Sequence, residues 1–174
     1  DMQHGMGLSP EKAIQCMQAI STTDTVPVVR MSWNDPKDIQ FVLDAGAYGV
    51  IVPLVNTKAE TELAVGAAKY PPIGFRSIGP NRARLYGGPD YVQHANDETF
   101  VLVMIETMEA VNNLEEIASV PGLDGFYVGP GDLAVSLGLT PGPDARRDPR
   151  HAEACQRVVD VARAHGLIPC LLYT

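Results

Sequence analysis

Charged side chains follow several short apolar runs of this sequence, at the points where buried strands would end. Glu106 follows one run directly, and Asp132 follows another after a Gly-Pro-Gly turn. A carboxylate at the end of a buried strand is costly to desolvate unless a cation or a hydrogen-bond donor meets it. Two carboxylates, waters and an oxyanion substrate are a usual way to hold Mg²⁺ or Mn²⁺. We therefore predict that Glu106 and Asp132 share one divalent cation; the simpler alternative, that each caps a helix, stays open.

The first residues of the chain and the end of another apolar run supply further candidates. Arg30 could pair with a neighbouring acid, or it could donate to an enolate oxygen that develops during a reaction. His4 could be a surface histidine, or a general base oriented by Asp1, three residues before it. Gly131 has no side chain to keep a ligand from the backbone N–H groups at the next helix start.

Other titratable side chains fall away from the predicted strand ends. We interpret His94, His151 and His165 as surface residues. A Schiff-base aldolase needs a desolvated lysine at the mouth of its site. That mechanism is disfavoured because all four lysines lie on helical or helix-flanking segments, namely Lys12, Lys37, Lys58 and Lys69.

The elements that must position these residues alternate along the chain. Parallel strands that are covered on both faces have almost continuously apolar sequences. Five runs of this chain have that character: Val26–Met31, Gly49–Val55, Phe100–Glu106, Gly125–Gly129 and Leu167–Tyr173. Helices are predicted between them from capping signals and apolar spacing, at Ser9-Pro10, Asp35-Pro36, the Thr57–Glu60 capping box, Val111–Ala118 and Ala152–His165.

This alternation predicts βαβ units and a parallel sheet in one domain. Five strands are too few for a complete (β/α)8 barrel of about 250 residues, whereas an open doubly wound sheet would tolerate five. The stretch Tyr70–Asn96 is rich in Gly, Pro and Arg, and we interpret it as a loop over the ligand site.

Composition restricts the classes of function. The 174 residues carry 13 Lys and Arg against 21 Asp and Glu, a net charge of −8, which disfavours nucleic acid and anionic membranes as partners. No apolar run approaches the roughly 20 residues that span a bilayer. The three cysteines are widely spaced, so we expect small core residues in a reducing compartment. The chain opens on Asp1 without a signal peptide, and we expect a cytoplasmic location.

Taken jointly and in order, these motifs closely resemble the HpcH/HpaI aldolase family, the class II pyruvate aldolases of the 4-hydroxy-2-oxoheptane-1,7-dioate aldolase type. The resemblance covers essentially the whole chain. It is carried by Asp1–Gly5, Val29–Asp35, Val52–Val55, Tyr70–Arg76, Ala95–Asp97, Ile105–Thr107 and Val128–Leu133.

The resemblance implies a (β/α)8 TIM barrel of the phosphoenolpyruvate/pyruvate type. Residues 1–174 would form a single partial barrel domain, running from about the end of strand two to strand seven of a chain of about 250 residues. Family members are commonly hexamers, so the resemblance also implies a homo-oligomer.

The resemblance also implies roles for individual residues. Glu106 and Asp132 match the two metal ligands, for Mg²⁺, Mn²⁺ or Co²⁺, and Arg30 matches the arginine that contacts the keto oxygen of pyruvate. His4 matches the base and Asp1 its orienting partner. Backbone N–H groups near Gly131 and Asp132 match those that bind the pyruvate carboxylate.

Two positions depart from the family pattern. Met104 stands where some relatives have a Gln that helps binding near the metal, and Gln3 replaces the Glu often found before the histidine. These departures leave the metal pair intact and affect the substrate side of the site.

The implied reaction is cleavage of a 4-hydroxy-2-oxo acid to pyruvate and an aldehyde through a metal-stabilised pyruvate enolate, by a class II aldehyde-lyase. Two alternatives stay open. One is a citrate-lyase β-like enzyme acting on an acyl-CoA, with Arg76, Arg82 and Arg84 contacting the CoA. The other is a non-catalytic barrel remnant.

Overall fold

The computed structural model describes residues 1–5 and 9–171. Its strands are β1 (Val28–Arg30), β2 (Gly49–Val52), β3 (Phe100–Ile105), β4 (Gly125–Val128) and β5 (Ile168–Leu171). All five predicted strands are confirmed, with shorter ends. Leu172 and Tyr173 of the last predicted run lie outside the described residues.

The strands form one parallel sheet in the order β1-β2-β3-β4-β5. An open doubly wound sheet reverses its strand order at a switch point, whereas a barrel adds each strand beside the one before it. The consecutive order therefore favours the barrel over the doubly wound sheet.

The helices are α1 (Pro10–Ile20), α2 (Pro36–Asp44), α3 (Lys58–Ala68), α4 (Ala83–Gly87), α5 (Tyr91–Glu98), α6 (Met108–Asn112), α7 (Leu114–Ala118), α8 (Pro130–Ser136) and α9 (Pro149–Ala164). The predicted caps of the first three are confirmed. Ser9 and Asp35 accept backbone N–H groups ahead of a proline at the first helical position, and Thr57 and Glu60 form the capping box.

Alternate residues of the strands separate two unlike faces. Val101, Val103 and Ile105 of β3 lie in the main apolar core with residues of α1–α3 and α6–α9. Met104 belongs to a separate cluster with Tyr127 on the other face. Helices packed on one face are the arrangement of a barrel wall. The sheet is thus a contiguous part of a (β/α)8 barrel.

Three predicted segments differ from the structure. The predicted helix Val111–Ala118 is divided into α6 and α7, which meet at Asn113. The predicted helix Ala152–His165 begins earlier, because Asp148 accepts the N–H of Arg150 and caps α9. The predicted loop Tyr70–Asn96 contains α4 and most of α5, which continues to Glu98.

The stretch Tyr70–Asn96 lies at the amino end of the sheet in this chain, so its predicted place over the ligand site is wrong. α2 follows the carboxyl end of β1 and ends at Asp44, at the opposite end of the sheet. Asp44 accepts the N–H of Arg82 at 3.2 Å with its carbonyl and pairs with Arg76 at 2.6 Å. A connection from a helix to the next strand of a barrel runs at this end, away from the catalytic face.

Lys69 is buried at the same amino end, although it flanks a helix as predicted. Its ammonium group donates to the carbonyl oxygens of Asn96, at 2.9 Å, and of Thr99, and lies 3.4 Å from the Asp124 carboxylate. Thr99 and Asp124 immediately precede β3 and β4, so this buried cation joins the beginnings of two strands.

The cysteines are less buried than expected for core residues: Cys16 is exposed on α1, and Cys155 and Cys170 are half-buried. In the described part of the chain, no helix has the length and apolar character needed to cross a membrane.

Candidate active site

Three strands of the sheet, β1, β3 and β4, bring charged residues to its carboxyl end. Arg30 is the last residue of β1, and Glu106 directly follows β3. Ile105 is paired with Val128 of β4, so the next residues along the two strands, Glu106 and Gly129, are also neighbours. Asp132 lies in the first turn of α8, directly beyond Gly129.

The Glu106 side chain is enclosed by protein, with the residue only 1 % exposed. Its Oε1 accepts the backbone N–H of Leu54 at 2.8 Å. Its Oε2 is buried and has no hydrogen-bond partner among the described residues. A buried carboxylate oxygen without a donor is expensive, so it marks a place for a ligand.

Gly129 makes room for that oxygen. A Cβ at Gly129 would lie 2.4 Å from Oε2 of Glu106 and 2.8 Å from its Cβ, far inside van der Waals contact. The backbone of Gly129 has φ −95°, which any residue can adopt, so the requirement is for space and not for an unusual conformation.

Burial raises the pKa of the Glu106 carboxyl above its ordinary value, and the nearby charge of Asp132 raises it further. The Leu54 N–H and the positive charge of Arg30 act in the opposite direction and lower it. A cation placed between two carboxylates would favour the ionised form of both. Asp132 itself is exposed, which leaves the pair open to solvent on one side.

Leu54 is held in a strained conformation to make its contact with Glu106. Its φ is +52°, and it is the one residue other than glycine with a positive φ in the part of the chain that the structure describes. Such conformations cost about 1–3 kcal/mol and occur at functional sites. The strain accompanies an N–H group that points at the acidic pair.

Asp1 contacts Arg30, which differs from the imidazole contact expected for it. Its Oδ1 accepts Nε of Arg30 at 2.9 Å and its Oδ2 accepts Nη2, a bidentate pair. This geometry uses two of the five N–H donors of a guanidinium group. Three donors therefore remain for another acceptor, in an orientation fixed by Asp1.

His4 lies at the exposed edge of the site. Its backbone N–H donates to Asp1 Oδ1 at 3.3 Å, beside the N–H of Gln3 at 3.0 Å. Asp1 thus fixes the backbone that carries His4 rather than the imidazole itself.

Gly131 borders open space, as expected for a position that a ligand approaches. A Cβ there would meet no atom within 4 Å. The first turn of α8 has no side-chain cap, so the N–H groups of Gly131 and Asp132 are available to an external acceptor, whereas that of Leu133 donates to the Gly129 carbonyl.

The chemistry of this donor set fits a hard divalent cation held by few protein ligands. The described residues contain no cluster of three or more His, Cys, Asp or Glu side chains able to hold a metal. Mg²⁺ typically keeps several waters and is bound through one or two carboxylates plus substrate oxygens. Two carboxylates, from Glu106 and Asp132, fit that requirement, and Oε2 of Glu106 is an oxygen without a hydrogen-bond partner among the described residues.

Sequence reasoning missed two residues that shape this site. Leu54 acts through its backbone N–H, for which its residue type gives no signal. Gly129 was seen as part of a turn, although a glycine directly after a strand is a signal for close approach of another group. Of the three histidines interpreted as surface residues, His151 is buried, only 3 % exposed, so that interpretation is wrong for it.

Fold and site together define a barrel-type α/β protein with an acidic pair at the carboxyl end of its strands. The model of the family described as HpcH/HpaI aldolase/citrate lyase matches residues 1–173, and the chain belongs to that family.

Individual relatives agree with this assignment. The chain is 43% identical over 167 residues to a hydroxypyruvate/pyruvate aldolase of Rhizorhabdus wittichii, covering 95% of this chain and 64% of the relative. It is 40% identical to a 4-hydroxy-2-oxo-heptane-1,7-dioate aldolase of Klebsiella pneumoniae, covering 99% of this chain and 64% of the relative. The crystal structure of an HpcH/HpaI aldolase from Desulfitobacterium hafniense superposes with a TM-score of 0.89 at 26% identity, covering 100% of this chain and 67% of that one. The chain thus spans 64% of the length of these two curated relatives.

Proposed function

We propose that the protein is a class II aldolase, a carbon–carbon lyase that cleaves a 4-hydroxy-2-oxo acid to pyruvate and an aldehyde. The observation that carries this proposal is the buried Glu106 carboxylate, whose Oε2 has no partner among the described residues and which faces the charge of Asp132. The names of the two curated relatives support the same class of reaction.

Glu106 and Asp132 would hold the divalent cation, Mg²⁺, Mn²⁺ or Co²⁺. When bound, such an ion polarises a carbonyl oxygen as a Lewis acid. The raised pKa of Glu106 means that protons compete with the cation, so affinity for the ion should rise with pH until Glu106 is ionised.

The chain's own residues would move the charge and the proton. The free donors of Arg30, oriented by Asp1, would hydrogen-bond the keto oxygen as negative charge builds there during cleavage of the C3–C4 bond. His4 would accept the proton of the C4 hydroxyl, directly or through a water, so that C4 leaves as an aldehyde. The electron pair passes to C3, which takes a proton to become the methyl group of pyruvate.

The N–H groups near Gly131 and Asp132 would bind the carboxylate of the 2-oxo acid. The open space at Gly131 and the uncapped first turn of α8 support this placement. A cytoplasmic location and assembly into a homo-oligomer, hexameric by the family resemblance, remain predictions.

The acyl-CoA alternative loses its support, because Arg76, Arg82 and Arg84 all lie between α3 and β3, at the amino end of the sheet. Arg76 is buried with its guanidinium paired to Asp44 at the amino end of the sheet, where it cannot contact a CoA bound at the other end of the same chain. The metal-dependent aldolase is therefore the better-supported function.

The test is the Glu106→Gln variant of the protein that contains this chain. We expect a loss of about 10²- to 10³-fold in pyruvate-forming activity, because one ligand of the cation is lost. Calorimetric titration with Mn²⁺ should show weakened binding. Glu109→Gln is the matched control, since Glu109 is an exposed carboxylate three residues further on. Chelator-sensitive activity that survives in Glu106→Gln would rule out this site.

The identity of the aldehyde can be found with the wild-type protein. Pyruvate is incubated with a panel of aldehydes, with and without chelator, and aldol products are measured. Product formation that is unaffected by chelator would contradict metal dependence. Absence of both product formation and Mn²⁺ binding would favour a non-catalytic barrel.

A further inference from the structure

His151 is a buried histidine that connects two helices beside the candidate site. It lies in the first turn of α9 and is only 3 % exposed. Its Nε2 is 2.9 Å from the backbone carbonyl oxygen of Pro130, and its Nδ1 is 3.7 Å from Sγ of Cys155. None of the steps proposed above uses this side chain.

The chemistry of its partners determines which ring nitrogen of His151 donates. A carbonyl oxygen only accepts, so Nε2 must carry the hydrogen and donate to Pro130. The Cys155 thiol is a weak donor and can supply its S–H to the unprotonated Nδ1. Burial raises the pKa of the Cys155 thiol, which keeps that hydrogen in place. His151 is thus a hydrogen-bond donor aimed at Pro130.

The turn that receives this hydrogen bond has no side-chain cap of its own, so His151 supplies the one side-chain hydrogen bond to its backbone among the described residues. α8 has seven residues, and its N-cap is Gly129, which offers no side-chain cap. Gly131, at the second position of the helix, adds backbone freedom. Besides the bond from His151, the turn is held by two backbone hydrogen bonds, from the Gly129 N–H to the Ile105 carbonyl at 3.2 Å and from the Leu133 N–H to the Gly129 carbonyl at 3.0 Å, and by the buried side chains of Leu133 and Ala134.

We propose that His151 is a positioning residue for the acidic pair. By holding the Pro130 carbonyl it sets the direction of the first turn of α8, and therefore the place of Asp132, two residues later, and of the N–H groups beside it. This inference rests on the proposed function, in which Asp132 holds the cation and the turn binds the 2-oxo acid. Without the His151 donor, the first turn of α8 would change its position, although Glu106 and Asp132 would both still be present.

The test compares two side chains of similar length in the protein that contains this chain. His151→Gln can place an N–H where Nε2 lies, whereas His151→Met cannot donate. We expect His151→Met to raise the Kd for Mn²⁺, measured by calorimetry, and the KM for pyruvate by about three- to tenfold, the range of one net hydrogen bond. His151→Gln should restore both to within about twofold of wild type.

A matched control lies at the other end of the same helix. His165, the C-cap of α9, has its Nε2 2.7 Å from a carboxylate oxygen of Glu115 on the surface. His165→Met should leave the Kd for Mn²⁺ unchanged. A His151→Met protein with a lowered Tm and a wild-type Kd would overturn the proposal, because it would show a structural role alone. Equal loss of affinity in His151→Gln and His151→Met would overturn it as well.

A measurement on the wild-type protein serves if His151→Met does not fold. With ¹⁵N-labelled histidine, the His151 ring should show a protonated Nε2 and an unprotonated Nδ1, and adding Mg²⁺ should shift the Nε2 resonance. The opposite tautomer, or a resonance unmoved by saturating Mg²⁺, would refute the role. A wild-type protein that binds neither Mg²⁺ nor Mn²⁺ would refute the proposed function itself, which separates the two failures.

Discussion

The carboxylate of Glu106 is shaped by two backbone positions that carry no charge. Leu54 supplies an N–H to one oxygen, and Gly129 leaves the space that the other oxygen occupies. The site therefore depends on the absent side chain of Gly129 as much as on the N–H group that Leu54 donates. Substitutions at Gly129 and Gly131 therefore test different parts of the site, the proposed cation ligand and the proposed substrate space.

Gly129→Ala should remove the cation site. The added methyl would lie 2.4 Å from Oε2 of Glu106, so the carboxylate must move. We expect the Kd for Mn²⁺ to rise at least tenfold, and the free energy of unfolding to fall by about 1–3 kcal/mol from overpacking. Calorimetry and urea unfolding measure the two effects. Wild-type affinity in this variant would show that Oε2 is not the ligand atom.

Gly131→Ala is the companion variant, with a different expected result. Its methyl would meet no atom within 4 Å, so stability and Mn²⁺ affinity should remain within the range of ordinary surface changes, about 0.5 kcal/mol. The methyl would project into the space assigned to the substrate carboxylate. The KM for the 2-oxo acid should therefore rise.

At the scale of elements, the segment between α3 and β3 is built around one buried arginine. The Arg76 guanidinium lies 4.5 Å from the centroid of the Tyr70 ring and 5.7 Å from that of Tyr91, and it donates to the Tyr91 hydroxyl at 3.3 Å. Its pairing with Asp44 ties this segment to the end of α2. Arg76 thus has a structural role in this segment.

Arg76→Met should destabilise the protein and leave catalysis intact. Breaking a buried ion pair costs about 3–5 kcal/mol, and the expected loss here is about 2–4 kcal/mol because Asp44 is partly exposed. Urea unfolding gives the free energy, and steady-state kinetics give the KM. Arg84→Met, at an exposed arginine, should change stability by less than about 0.5 kcal/mol. A raised KM at unchanged stability in Arg76→Met would instead place this segment in the substrate site.

Prediction from sequence succeeded where the signals are local. The strands were visible as apolar runs and the caps of α1–α3 as short motifs, since both depend on neighbouring residues alone. α4 and α5 were missed because they are short and lie among glycines and prolines. The position of the Tyr70–Asn96 segment was predicted from composition, although its place between a helix and the following strand already indicates the amino end.

The candidate site was predicted in the same uneven way. Glu106 and Asp132 could be brought together from strand order, because adjacent parallel strands end at one edge. The pairing of Asp1 with Arg30 and the burial of His151 depend on distances between elements far apart in the chain. The spacing of residues along the sequence does not indicate those distances.

At the scale of the whole molecule, Glu106 couples global stability to pH. Its raised pKa means that the folded state binds a proton more tightly than the unfolded chain does. Through this group, the stability of the metal-free protein should be highest in acid. It should fall as pH rises from the ordinary carboxyl pKa through the raised one.

Glu106→Gln isolates that contribution. The variant should have a higher Tm than wild type at neutral pH in the presence of chelator, and the difference should disappear in acid, where Glu106 is protonated in both states. Thermal unfolding of both proteins from about pH 4 to pH 8 measures it, with Glu109→Gln as the control. A difference that is constant across this range would mean that burial of Glu106 imposes no ionisation cost. Saturating Mn²⁺ should reverse the order of stability.

The buried ammonium group of Lys69 has a consequence for how such a protein can change over evolutionary time. Its contacts join the residues that precede β3 and β4 at the amino end of the sheet, whereas the residues proposed to react lie at the carboxyl end. Mutations among the residues proposed to react can therefore accumulate without disturbing the contacts of Lys69. Descendants of this protein could then change the aldehyde of the proposed reaction, or lose that reaction, and still keep the fold.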